Sequence, residues 1–284
     1  MAVANSRRGL ALALAVAPCV LKSRGWHADL KQAGGSGGGS PWSSAESRFA
    51  GSSRNSLSLM ELFLTSPIRR TFDLELPTGA NRGKRWPLLI ALHGYQGDKG
   101  SMMRVARRIA NGKMVVITLQ GPNQFFINYG DDPKSYRVGF GWGTTWKMGE
   151  SIELHHSDLR ALIELATRKY RASRSHVFLL GFSQACSYNY RFVFAHPQSV
   201  RGAIGVCGGV PSDWNENPRY RPAQTDVLHI AATRDVWYSR EKNLEFRRQL
   251  AQRAASLDFR FYNSPHKFPR TSIPHIRRWI EARL

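Results

Sequence analysis

The chain has 284 residues, 42% of them hydrophobic and 11% aromatic, enough to bury a sizeable core and too apolar for a disordered polymer. A formal charge of +21, from 41 Lys and Arg against 20 Asp and Glu, favours association with anionic surfaces. The basic residues are dispersed and no basic-aromatic or finger motif accompanies them, so no specific nucleic-acid partner is expected, and no apolar run reaches the roughly 18 residues that span a bilayer.

Residues 1–59 are rich in Ala, Gly, Ser and Arg, a low-complexity region expected to be disordered or a targeting segment; residues 60–284 carry the expected folded domain. Residues 9–21 sit behind Arg7-Arg8 and resemble the apolar part of a signal peptide, but Pro18 interrupts them and no Ala-x-Ala site follows. The Arg-rich, acid-poor composition also suits a transit peptide, and Met60 offers an alternative start. A cytoplasmic chain is expected, with export the alternative if residues 1–28 act as a signal.

Beyond this region strands and helices alternate. Residues 70–76 alternate like a half-exposed strand, and 87–92 and 114–119 are continuous apolar runs suited to buried parallel strands. Between those two, Met102, Ala106 and Ile109 share one face of a helix over 100–110. A long stretch rich in glycine and aromatics follows, with Phe125, Phe126, Tyr129, Tyr136, Phe140, Trp142 and Trp146, and reads as a loop. Leu159, Leu162, Ile163 and Ala166 line a helix from about 153 to 169. Next come a strand at 177–180, a helix at 184–195, strands at 202–206 and 227–231, a helix at 239–255, a strand at 258–262 and a helix at 272–283. This pattern predicts an α/β protein, a doubly wound and mostly parallel sheet with helices on both faces. Only about twenty residues, 207–226, separate two of the strands, too few for a large cap domain.

One junction carries chemistry. The apolar run 177–180 feeds Gly181-Phe-Ser183-Gln-Ala185, and a helix follows at once. A strand, a tight turn around Gly-x-Ser-x-small and a helix form the layout of a nucleophile elbow. Gly34-Gly-Ser-Gly-Gly38 fits the bare pattern better, but with no strand before it and no helix after it reads as linker. A serine hydroxyl needs a histidine to take its proton and a carboxylate to orient that histidine. Asp235 follows the strand at 227–231 and His266 follows the strand at 258–262, in the order Ser, Asp, His and at strand ends. Asp213 is the backup acid, whereas Asp226 and Asp258 lie at the opposite strand ends. His155, His156, His229 and His275 fall within elements and read as packed or surface histidines. His93-Gly94-Tyr95 follows the strand at 87–92, so the backbone amides of Tyr95 and Gln184 are assigned to an oxyanion hole, with Gly94 permitting close approach and His93 shaping the loop.

HGYQGD, GFSQA, TRD and PHKFP, in this order, resemble the phospholipase/carboxylesterase branch of the α/β-hydrolases, over about residues 70–284. The resemblance implies Ser183, Asp235 and His266 as a catalytic triad cleaving carboxylic esters, with no metal and no organic cofactor, on a small-molecule or lipid ester. Ala185 stands where that family carries glycine, Cys186 follows where small residues are common, and HGYQGD is one residue longer than the compact form. Gly94, Trp142 and Trp146 are assigned to substrate binding. The alternatives are a feruloyl esterase or polyester depolymerase, which differ in the pocket, and a non-catalytic hydrolase-like protein that holds anionic surfaces.

Overall fold

The apolar runs become the centre of a seven-stranded sheet in the computed structural model, which describes residues 61–79, 83–128 and 132–284. The readings of residues 1–59, Met60 and Tyr129 lie outside the described residues. Strand β1 (Phe72–Glu75) runs antiparallel to β3 (Val115–Leu119), which pairs in parallel with β2 (Trp86–Leu92). Four more parallel strands follow on the other side of β2: β6 (Ala172–Phe182), β7 (Gly202–Val206), β8 (Asp226–Arg234) and β9 (Ser256–Pro265), giving the order β1-β3-β2-β6-β7-β8-β9, with β4 (Asn123–Asn128) and β5 (Arg137–Gly141) paired apart from this sheet.

Both sheet faces are covered, which is why the central strands lack a polar alternation. Leu88, Ile90 and Leu92 of β2 enter one core layer while Leu89 and Ala91 enter the other. The first layer is closed by α2 (Met148–Lys169), α3 (Gln184–Ala195) and Leu250 of α4 (Arg240–Ala251). The second is closed by α1 (Lys99–Ala110), through Met102, Ala106 and Ile109, and by α5 (Ile273–Glu281), through Ile276, Trp279 and Ile280. Helix α1 is capped at both ends: Asp98 accepts from the Ser101 amide at 2.7 Å, and Asn111 closes it in the left-handed conformation.

The chain moves from β2 outward to β3, then crosses back to place β6 on the other flank of β2. Direction therefore reverses between β2 and β6, and the crevice at their carboxyl ends is where such sheets bind ligands. Residues 207–225 between β7 and β8 contain turns and no helix, so no cap domain is inserted there.

Two expectations for the elements need correction. The aromatic stretch is not simply a loop: β4 (Asn123–Asn128) and β5 (Arg137–Gly141) form an antiparallel hairpin. Its glycines disguise it, yet they permit its position, since a Cβ on Gly139 would lie 2.4 Å from Ile127 Cγ2 and 3.0 Å from Gln96 Cα. Helix α2 starts at Met148, five residues before the expected start, through a turn led by Lys147 in the left-handed region.

Candidate active site

Ser183 sits between the last residue of β6 and the first of α3 at φ 52° and ψ −117°, a strained conformation for a residue with a side chain. The turn closes only with small neighbours. A Cβ on Gly181 would come within 2.9 Å of the Ala185 carbonyl, and one on Gly208 within 2.4 Å of the Ser183 backbone carbonyl oxygen. Ala185 is wholly buried, so its methyl fits where the resembling family has glycine. Cys186 fits as well: its thiol donates to the Gly181 carbonyl at 3.2 Å, and burial pushes its pKa up, which leaves the serine without a competing thiolate.

The three strand-end residues meet. The Ser183 hydroxyl donates to His266 Nε2 at 2.9 Å, and His266 Nδ1 donates to Asp235 Oδ2 at 2.8 Å. The second Asp235 oxygen accepts from the amides of Trp237 at 2.8 Å and Tyr238 at 3.2 Å. These bonds fix the carboxylate, whose side chain is only 1% exposed, and the carboxylate fixes the histidine tautomer with its acceptor nitrogen toward Ser183.

The loop after β2 lies against this group. A Cβ on Gly94 would be 3.1 Å from Ser183 Cβ, so glycine brings the backbone beside the nucleophile. His93 braces the loop, donating from Nδ1 to the Gly94 carbonyl at 2.7 Å and accepting at Nε2 from the Gly121 amide at 2.9 Å. Burial lowers its pKa and keeps the ring neutral, as the accepting nitrogen requires. Gln184 opens α3, where backbone amides lack helical partners. Its side chain has a role the sequence did not announce: it accepts from the Trp142 amide at 3.0 Å and donates to the Gly143 carbonyl at 2.8 Å, tying the elbow to the end of β5.

The assignment of Trp142 and Trp146 to pocket lining does not hold. Trp142 is 1% exposed, packs against His93 and His155, and donates its indole N–H to the His93 carbonyl at 2.7 Å. It supports the loop from behind. Trp146 is 72% exposed and lines a separate surface depression with Pro122 and Leu154. Tyr95 stacks its ring on Phe125 at 4.9 Å, which links the loop to the hairpin. The remaining candidates have other partners: Asp213 holds Arg191 and Asn217, Asp258 holds His275, and His229 bonds the Tyr190 hydroxyl at 2.9 Å. His155 and His156 are buried in α2. Among the described residues, no group of three or more His, Cys, Asp or Glu side chains forms a metal-binding cluster.

Sheet order, elbow and the crevice beside β2 define the α/β-hydrolase fold. No family model and no curated protein matches the chain. Solved structures do: it is similar to a carboxylesterase from Bacillus cereus (15% identity, TM-score 0.60), covering 76% of this chain and 95% of that one. A carboxylesterase from Mesorhizobium loti is 22% identical with a TM-score of 0.58, over 75% of this chain and 94% of that one. A phospholipase/carboxylesterase from Dyadobacter fermentans is 14% identical with a TM-score of 0.57, over 75% and 97%. What the chain shares with these esterase structures is the α/β-hydrolase fold.

Proposed function

We propose that the chain is a serine esterase that hydrolyses carboxylic esters through an acyl-enzyme. The observation that carries this reading is the continuous Ser183–His266–Asp235 hydrogen-bonded chain at the carboxyl ends of β6, β9 and β8. Ser183 Oγ attacks the acyl carbon while His266 Nε2 takes its proton. Asp235 holds the resulting imidazolium. The Tyr95 and Gln184 amides receive the negative charge that develops on the carbonyl oxygen, in a loop that Gly94 and His93 bring against the nucleophile. His266 then returns the proton to the departing alcohol. Water, activated by the same imidazole, releases the acid and restores the serine.

Incubation with a fluorophosphonate probe tests this directly. Mass spectrometry of the labelled chain is expected to place the adduct on Ser183, and Ser183→Ala is expected to abolish both labelling and turnover of 4-nitrophenyl acetate. Full turnover by that variant would refute the reading.

A further inference from the structure

A cleft of about 550 Å³ opens beside the nucleophile and runs along α3. Gln184 and Tyr238 line its near end, and the Tyr238 ring lies 6.1 Å from that of His266. Helical spacing turns Ser187, Tyr188 and Arg191 of α3 toward the same side as Gln184. Thr145 and Ser212 line the cleft from the loops before α2 and after β7.

The polar groups here are poorly matched to an aliphatic chain. Among the described residues, the hydroxyls of Thr145, Tyr188 and Ser212 have no hydrogen-bond partner within the protein. Tyr188 is only 6% exposed, yet its oxygen is not sealed off, so the little surface it keeps includes a free hydroxyl. Arg191 is 4% exposed; Nη1 is used by Asp213 and by Tyr220, while Nη2 reaches nothing better than Met148 Sδ at 4.0 Å. A long acyl chain laid along this wall would take those donors from water and return nothing. Val210 and Phe246 supply carbon surface beside them, which suits a ligand that alternates C–H faces with oxygens.

We propose that this cleft binds the hydroxyl-bearing half of a carbohydrate or polyol ester, with Tyr188 and Ser212 as specificity-determining residues. The inference rests on the esterase reading above and names its substrate class. Discrimination is strongest where a site is built to hydrogen-bond a substrate hydroxyl, because the analogue lacking it leaves protein groups unpaired.

Two matched pairs test it in the full chain: a monoacetylated monosaccharide against cyclohexyl acetate, and glycerol 1-monobutyrate against 2-methylbutyl butyrate. The expected result is a kcat/KM at least tenfold higher for the oxygen-bearing member of one pair, with 4-nitrophenyl dodecanoate a poor substrate. Tyr188→Phe combined with Ser212→Ala is expected to cut that polar-over-apolar ratio about tenfold. Equal or reversed preference in both pairs overturns the proposal, as does a ratio that the double variant leaves unchanged. Fluorophosphonate labelling of the wild type separates the two readings: Ser183 labelled with no polar preference removes the substrate class alone, whereas an unlabelled Ser183 removes the esterase itself.

Discussion

At the scale of single residues, the site depends on a histidine held in one tautomer. Asp235 receives two backbone amides and the His266 Nδ1–H, so replacing its carboxylate with a carboxamide preserves the shape and loses the orientation. Asp235→Asn is expected to lower kcat by about 10⁴-fold with little change in melting temperature; steady-state kinetics on 4-nitrophenyl acetate beside a thermal melt checks both. Ser183 and Asp235 were legible because each follows a strand whose buried run is visible in the sequence, whereas His266 follows the half-buried β9 and was placed by chain order. Trp142 was not legible. An aromatic beside glycines reads equally well as pocket wall or buried support, and only the His93 carbonyl accepting its indole N–H distinguishes them. The side-chain role of Gln184 was hidden for the same reason, since its partners at 142 and 143 are remote in sequence.

At the scale of elements, the hairpin β4–β5 and the loop after β2 form one support. Phe140 bridges Gly97, Tyr95 stacks on Phe125, and His93 accepts the Gly121 amide. Strands β2, β6 and β8 were readable because both faces are buried and the apolar signal is unbroken. The hairpin was not, because its strand propensity is diluted by glycines retained for close approach. Gly121→Ala probes that approach. A Cβ there would lie 2.7 Å from the Gly141 carbonyl oxygen and 3.2 Å from His93 Cε1, and the first of these is backbone that has no rotamer to move. The variant is expected to lose about 1–3 kcal/mol of stability, the usual cost of overpacking. Because the strain falls on the His93 brace, kcat should drop more than KM changes; denaturant titration with initial-rate kinetics reads both. Lost stability with kcat and KM unchanged would show that the brace does not position the oxyanion loop.

At the scale of the whole molecule, the strand order could not be read from the sequence, because parallel pairing depends on crossovers that leave no local mark. Alternation of strand and helix was enough for the fold class, and the reversal beside β2 then places the site. The core also contains a group that ties folding to pH. His229 lies midway along β8, fully buried, stacked on Phe259 at 4.9 Å and bonded to the Tyr190 hydroxyl. Desolvation lowers its pKa to about 3, whereas an unfolded histidine titrates near 6.5. Between these values the unfolded chain binds a proton that the native chain refuses. Stability from this residue is therefore intact above about pH 6.5 and is lost as pH falls toward 3, with a slope of at most about 1.4 kcal/mol per pH unit. Urea unfolding between pH 7.5 and 4.0 should show an acid slope to which His93, His155, His156 and His196, whose pKa values burial also lowers, contribute; His229→Gln, which keeps a polar partner for Tyr190 and removes one titration, should make that slope shallower by at most about 1.4 kcal/mol per pH unit while lowering stability at pH 7.5. An identical acid slope in the variant would mean that other groups drive acid unfolding and that His229 contributes packing alone.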